Sequence, residues 1–287
     1  MSGVAKNRVR PGGGAWPVHR WGSLLAAASP RGLLGLVVVI IGWWAISLVV
    51  PHKPIDFLPS PISVGQMLWV GLRGSPLYGQ SLYGDIAESL KEALGGWMAG
   101  AAAAIVVGTI IGRVRVAREL IYPIVELLRP ISNIAWVPLA IVWFGLGYAD
   151  KVFVVAISVF FVVIMYVILA TGRVDDELAK VADAVGLRGV RRTLVLDVMG
   201  STAEIAAGLR VSLMAGWGSV MIAELVVANS GLGVLEIYAQ QSYSLTGVMV
   251  GMVCFGSIGL ALNTLFGAAE RRLLPWSVKL RRPIVAN

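Results

Sequence analysis

The chain has 287 residues, of which 57% are hydrophobic and only 14% charged, and its formal net charge is +8. Its mean hydropathy is +0.80. A soluble domain carries about 25% charged residues, so most of this chain must sit in lipid, and a soluble globular enzyme is excluded. The basic residues cluster beside apolar runs, so the positive charge is a topology signal and implies no nucleic-acid partner. The single cysteine, Cys254, lies inside an apolar run and cannot form an internal disulfide.

Taken in order, residues 1–32 hold Lys6, Arg8, Arg10, His19, Arg20 and Arg31 among Gly, Pro and Ser. They read as a disordered cytosolic tail. The apolar run that follows, 33–50, ends without a small-x-small cleavage site, which makes it a retained first membrane helix rather than a secretory signal. An external segment, 51–85, is rich in Pro and Gly, and Pro59-Ser60-Pro61 should start a short interfacial helix. The transmembrane core, 86–268, divides into spans at 86–112, 120–142, 150–172, 204–228 and 246–268. Each reaches the roughly 20 residues that cross about 30 Å of hydrocarbon. The start of the second span, Asp85 to Leu94, is amphipathic and is expected near the surface. Residues 269–287 form a second cytosolic tail. The expected fold is therefore all-α, a polytopic membrane protein with about six transmembrane helices. Small residues crowd the second span (Gly95, Gly96, Gly100, Ala101 to Ala104, Gly108, Gly112), the composition by which membrane helices approach closely.

Charge asymmetry orients the spans. With the N-terminus inside, the inner side holds the basic N-terminal tail and Arg113, Arg115 and Arg118. It also holds the basic residues of 173–203 and Arg271, Arg272, Lys279, Arg281 and Arg282. The outer side receives only Lys53, Arg73, Lys91 and Lys151. Both termini and the 173–203 loop are thus expected in the cytosol of a multi-pass cell-membrane protein.

Little in the chain supports catalysis. His19 and His52 are the only histidines, and there is no metal-spaced cluster, nucleophile elbow, phosphate-binding Gly-x4-Gly-Lys-[Ser/Thr] loop or intramembrane carboxylate pair. No catalytic, metal or cofactor site is expected. If the chain transports, its energy comes from ion coupling or from a separate ATPase. Arg129 and Arg210 fall in or near spans, where a guanidinium faces protein or a water-filled path. They are candidates for an anion pathway or, alternatively, snorkelling and inter-helix contacts. Trp136, Trp143 and Phe144 are candidate gate residues or interfacial anchors, and Glu224 is the one acid deep in the outer half of its span.

The best-charged stretch between two long apolar runs is 173–203, RVDDELAKVADAVGLRGVRRTLVLDVMGSTA. Leu178, Val181, Ala182 and Val185 share one helix face, and Gly186 and Gly189 punctuate the run before a second helical pattern. This is a helix-turn-helix that docks a partner or a solvated loop. Lys180-Val181-Ala182 followed by Gly186 resembles the EAA-x3-Gly cytoplasmic loop of ABC importer permeases of type I. Other segments are similar to the nitrate/sulfonate/taurine/bicarbonate group of those permeases: Leu58-Pro59-Ser60-Pro61, Leu128-Arg129-Pro130-Ile131, Ala135-Trp136-Val137-Pro138-Leu139, Trp143 to Gly147, Gly208-Leu209-Arg210, Ala223-Glu224-Leu225, Gly231-Leu232-Gly233 and Pro275-Trp276. The chain departs from that pattern at Lys180, where the family has Glu, at Val198-Met199, where it has Leu-Pro, and at Ser132 and Ala203, where it has Pro. The resemblance implies a permease subunit, commonly paired as a homodimer in the lipid bilayer. Its ATP would be bound by a cytosolic ABC ATPase dimer, and its solute, a small anion, delivered by a periplasmic or external binding protein. It also implies that Lys180, Ala182, Gly186, Leu187, Arg188 and Arg191 form the ATPase-coupling loop, and that Gly231-Leu232-Gly233 makes a tight external turn. The competing reading, an ion-coupled secondary transporter, calls for paired intramembrane acids or broken helices in symmetric halves.

Overall fold

The computed structural model describes residues 30–49, 58–171, 202–227 and 229–274. The predicted coupling residues Lys180, Ala182, Gly186, Leu187, Arg188 and Arg191 lie outside them. The described residues are helical apart from turns and one isolated bridge between Leu77 and Gln80. Helix α1, Pro30–Val49, is apolar along its whole length. The chain divides within it, between Trp43 and Trp44, into two compact units, and the second unit carries everything below.

Helix α2, Pro61–Leu72, forms where Pro59-Ser60-Pro61 predicts it. Ser60 Oγ accepts from Ser63 N at 3.1 Å, and Pro61, which has no N–H to leave unpaired, occupies the first turn. Helix α3, Leu82–Arg113, is capped at its start by Ser81, whose Oγ accepts from Gly84 N at 3.4 Å. At its other end Arg118 donates to the carbonyls of Gly112 (2.6 Å) and Ile111 (3.4 Å), satisfying the last turn. The amphipathic stretch expected near the surface is thus part of one continuous helix, and Asp85, Ser89 and Glu92 on it are buried. The remaining long helices are α6, Tyr148–Thr171; α7, Thr202–Val226; and α9, Leu245–Leu273. The short α8, Leu232–Gln241, lies between the last two.

The third expected span, 120–142, requires correction. It is two helices, α4 (Arg115–Leu128) and α5 (Asn133–Phe144), set at 103° to each other. Among the described residues, five helices are long and apolar enough to cross a membrane, and six if this bent pair counts as one span. The break sits at Arg129-Pro130-Ile131-Ser132. Pro130 has no N–H to continue the α4 ladder, and Ser132 is extended (ψ 141°). A straight 120–142 span would have to bury Glu126 and Arg129 in hydrocarbon, whereas both are exposed at the end of α4 and the break.

The core is a sheaf in which α6 packs between α3 and α7, with α5 against α6 and α8 against α7 and α9. The small residues of α3 make the first of these contacts. At Gly96 an added methyl would meet Val155, at Gly108 Val167, and at Gly100 and Gly112 it would collide with the Ala156 carbonyl and the Thr171 side chain. In lipid, where no hydrophobic drive pushes helices together, such close approach is the main source of association. Side-chain hydrogen bonds then cross-link the sheaf. Asn133 Nδ2 donates to Ser158 Oγ (3.0 Å) and Ser219 Oγ (2.9 Å), joining α5, α6 and α7. Trp97 Nε1 donates to Ser212 Oγ at 3.1 Å, and Trp217 Nε1 to the Phe255 carbonyl at 3.0 Å.

Candidate functional site

Among the described residues, a buried polar constellation lies where α3, α6 and α7 meet the turn into α8. Lys151, completely buried on α6, donates to Glu92 Oε1 at 2.9 Å and to both the carbonyl and the Oγ of Ser230 at 3.0 Å. The next three residues of the turn are each held by a different side chain. Gly231 N donates to the Asp85 carboxylate, Leu232 N to Ser89 Oγ at 3.0 Å, and Gly233 N to Glu224 Oε2 at 2.7 Å. Ser89 Oγ in turn donates to Glu224 Oε1. These are the N–H groups that the start of α8 leaves without intrahelical partners. Two carboxylates and a hydroxyl therefore sit at the positive end of a helix, which together with Lys151 makes buried acids tolerable there. Glu92 Oε2 and Asp85 Oδ2 remain buried without a hydrogen-bond partner. Gly231 is required twice over: its φ is +102°, and a Cβ on it would strike the Glu224 carboxylate. The tight turn expected at Gly231-Leu232-Gly233 is therefore present, fastened by a polar lock.

One expectation is corrected here: the chain does contain a juxtaposed pair of acids on helices long and apolar enough to cross a membrane, Glu92 beside Glu224. Lys151, counted with the outer-side charges, is in addition a buried ion-pair partner. A single-sequence reading can find only neighbours along the chain, and the two acids are brought together by folding. One signal was available: Glu92 stands in the same four-residue register as Gly96, Gly100, Ala104, Gly108 and Gly112, the face that meets α6.

The other candidates are dispersed. Glu224 is fully buried in the lock. Arg210 donates from Nε to Asn263 Oδ1 at 3.1 Å, and its Nη1 lies 3.7 Å from Glu270 Oε2, so it bridges α7 to α9. Arg129 is exposed at the α4–α5 break, where its backbone N–H closes the end of α4 on Val125. Trp143 and Phe144 are exposed at the end of α5 and form an edge-packed cluster with Phe153 of α6, at centroid distances of 5.6 and 5.1 Å. Trp136 is partly buried, and its Nε1 has no hydrogen-bond partner.

A bundle with a bent third span, and a charged stretch between its α6 and α7, can be compared with known transport proteins. The family of binding-protein-dependent transport system inner membrane components matches residues 100–277. This chain belongs to that family. It is 34% identical over 247 residues to a probable ABC transporter permease of Brucella melitensis, covering 85% of this chain and 96% of the relative. It is 28% identical over 261 residues to the taurine transport system permease of Escherichia coli, covering 91% and 92%. A nitrate import permease of Leptolyngbya laminosa is 26% identical over 220 residues, covering 75% and 78%. The protein is thus a multi-pass inner-membrane ABC permease, a transport component, and the family match runs through α3 to α9 and across the stretch between α6 and α7.

Proposed function

We propose that this permease passes a small anion of the sulfonate, taurine, nitrate or bicarbonate class, delivered by an external binding protein and moved by a cytosolic ATPase dimer. The family match across residues 100–277 carries the reading, because it spans the charged 173–203 stretch together with the helices on either side. Relatives named for taurine and nitrate supply the solute class. Two copies of the chain would enclose one pathway. The termini and 173–203 face the cytosol, and the polar lock and α8 face outward, where a loaded binding protein docks near Gly231-Leu232-Gly233. The ATPase grips the residues around Ala182 to Arg191. A rigid helix seated in the ATPase transmits its closure to the spans as rigid-body motion, whereas a floppy loop would absorb it. Arg129, exposed at the break in the third span, is the candidate positive charge on an anion's path, and Trp136, Trp143 and Phe144 are candidate gate residues. Glu224 and Arg210 are occupied by inter-helix contacts, which favours a structural role for both.

An ion-coupled carrier would need titratable groups that load and unload. Glu92 and Glu224 are instead tied to Lys151, Ser89 and the α8 backbone, which disfavours that alternative. The test is Gly186→Leu in the assembled complex in proteoliposomes, with ATP hydrolysis and solute uptake read together. Hydrolysis should persist while uptake falls to background. Uptake at the unmodified rate would refute the coupling role of this loop.

A further inference from the structure

Helix α4 carries three different faces. At about 100° per residue, Arg115, Glu119, Tyr122 and Glu126 fall in one row, Val116, Leu120, Ile124 and Leu127 in a second, and Ala117 and Val125 in a third, roughly a third of a turn apart. The third row is what α4 buries against the protein. The four apolar side chains of the second row stand between 54% and 75% exposed. In the first row both acids have partners: Glu119 Oε1 accepts from Arg115 Nε at 2.9 Å, and Glu126 Oε1 from the Tyr122 hydroxyl at 3.0 Å. Arg118, at the edge of this row, is exposed and donates to the carbonyls at the end of α3. Helix α4 also starts one residue after α3, which is long and apolar enough to cross a membrane. Its first turn therefore lies at the boundary where α3 leaves the hydrocarbon. From there it cannot cross back, since its 14 residues span about 21 Å against about 30 Å of hydrocarbon. The uncharged α5 turns away from it at 103°.

We infer that α4 lies flat in the surface of the bilayer, with its apolar row in the acyl layer and Arg115 and Arg118 on the phosphates of anionic phospholipid. An apolar row flanked by arginines is the pattern of a helix that lies in the interface plane rather than across it. A guanidinium has five donors. Arg115 uses one on Glu119 and Arg118 two on α3, so both keep donors that phosphate oxygens accept. Because the two acids are engaged within the helix, the outward charge of its first turn is positive, and Arg113 in the last turn of α3 adds to it. The apolar row also runs on along the chain from Val106, Ile110 and Val114, the exposed apolar residues at the end of α3. A surface that continues the exposed side of a span is covered by the same lipid.

The experiment places the full chain, carrying Cys254→Ser, in nanodiscs of equal phosphatidylglycerol and phosphatidylcholine. Single spin labels go on Val116→Cys, Leu120→Cys, Ile124→Cys and Leu127→Cys, and on Glu119→Cys and Glu126→Cys. Collision with oxygen and with a water-soluble nickel chelate gives the depth of each label. The apolar-row labels should share one depth in the acyl layer to within about 5 Å, although Val116 and Leu127 stand about 16 Å apart along the axis. The other two should be open to the chelate. A steady change in depth of more than about 10 Å from Val116 to Leu127, as in a helix that crosses, overturns the inference. So does an apolar row shielded from both reagents with spin–spin broadening, the mark of a second copy. Lipid retained on the extracted protein is read by native mass spectrometry. Phosphatidylglycerol should be retained over phosphatidylcholine, and Arg115→Gln should lower that ratio about five-fold, the effect of one arginine at an anionic surface. Arg115→Lys should keep it. Arg115 is 91% exposed and pairs only with Glu119 on its own helix, so the variants keep the packing of α4. A ratio unchanged in Arg115→Gln overturns the phosphate contact and the inference with it. These readouts involve neither solute nor ATPase, so failure of the transport reading would show separately, in the hydrolysis and uptake of the assembled complex.

Discussion

At the scale of single residues, the protein is governed by the cost of burying charge. Among the described residues, Lys151 is the cation that meets Glu92 and the Ser230 carbonyl, and it does so fully buried. Lys151→Met would strip both of their partner and leave acids clustered without a base. Breaking one side of a buried pair costs about 3–5 kcal/mol, so purified Lys151→Met should melt well below the unmodified protein. Glu92→Gln, which keeps an acceptor for the ammonium, should melt between them. Equal melting temperatures for Lys151→Met and the unmodified protein would mean that the lock contributes nothing. Ser89, Asp85 and Glu224 extend the same logic to the backbone, each satisfying a donor that the start of α8 would otherwise bury unpaired. None of these partnerships was visible along the chain: Ser89 lies 135 residues from Glu224, and Lys151 lies 59 from Glu92.

At the scale of elements, the α3–α6 contact rests on absent side chains. The four-residue spacing of Gly96, Gly100, Gly108 and Gly112 puts them on one face, and this much could be read from the amino acids alone. A methyl at Gly100 would push against backbone, the Ala156 carbonyl, which cannot rotate away. Gly100→Ala should therefore destabilise the protein by about 1–3 kcal/mol, the usual range for overpacking. Gly256→Ala on α9, where a methyl meets nothing within 4 Å, should be neutral or slightly stabilising. Comparing the two melting temperatures checks the argument, since removing a helix-disfavouring glycine would by itself raise both. The bend between α4 and α5 behaves differently. Pro130 marks a break in the amino-acid sequence, but Pro123 and Pro138 also occur here and lie inside helices. A proline identifies a place where the chain can turn, and the neighbouring helices decide whether it does.

At the scale of the whole molecule, orientation follows from where basic residues fall. Cys254 is the only cysteine and is buried, so the unmodified protein should give no signal with a membrane-impermeant maleimide. Ser242→Cys, at the α8–α9 turn, should label in intact spheroplasts, and Arg272→Cys, at the far end of α9, only after the membrane is opened. The reverse pattern would invert the proposed topology. Composition, hydrophobic run length and charge asymmetry determined on their own that the chain is an all-helical, multi-pass membrane protein, and the order of its motifs suggested a permease. Those properties are sums over local stretches, and lipid imposes them on each stretch separately. Only the tertiary structure decided that the stretch expected as a third span is bent, that Lys151 is interior, and that Glu92 and Glu224 meet. Each of these depends on which helix faces which. That choice rests on complementary surfaces between segments tens of residues apart, and no local window of the chain contains both sides of such a contact.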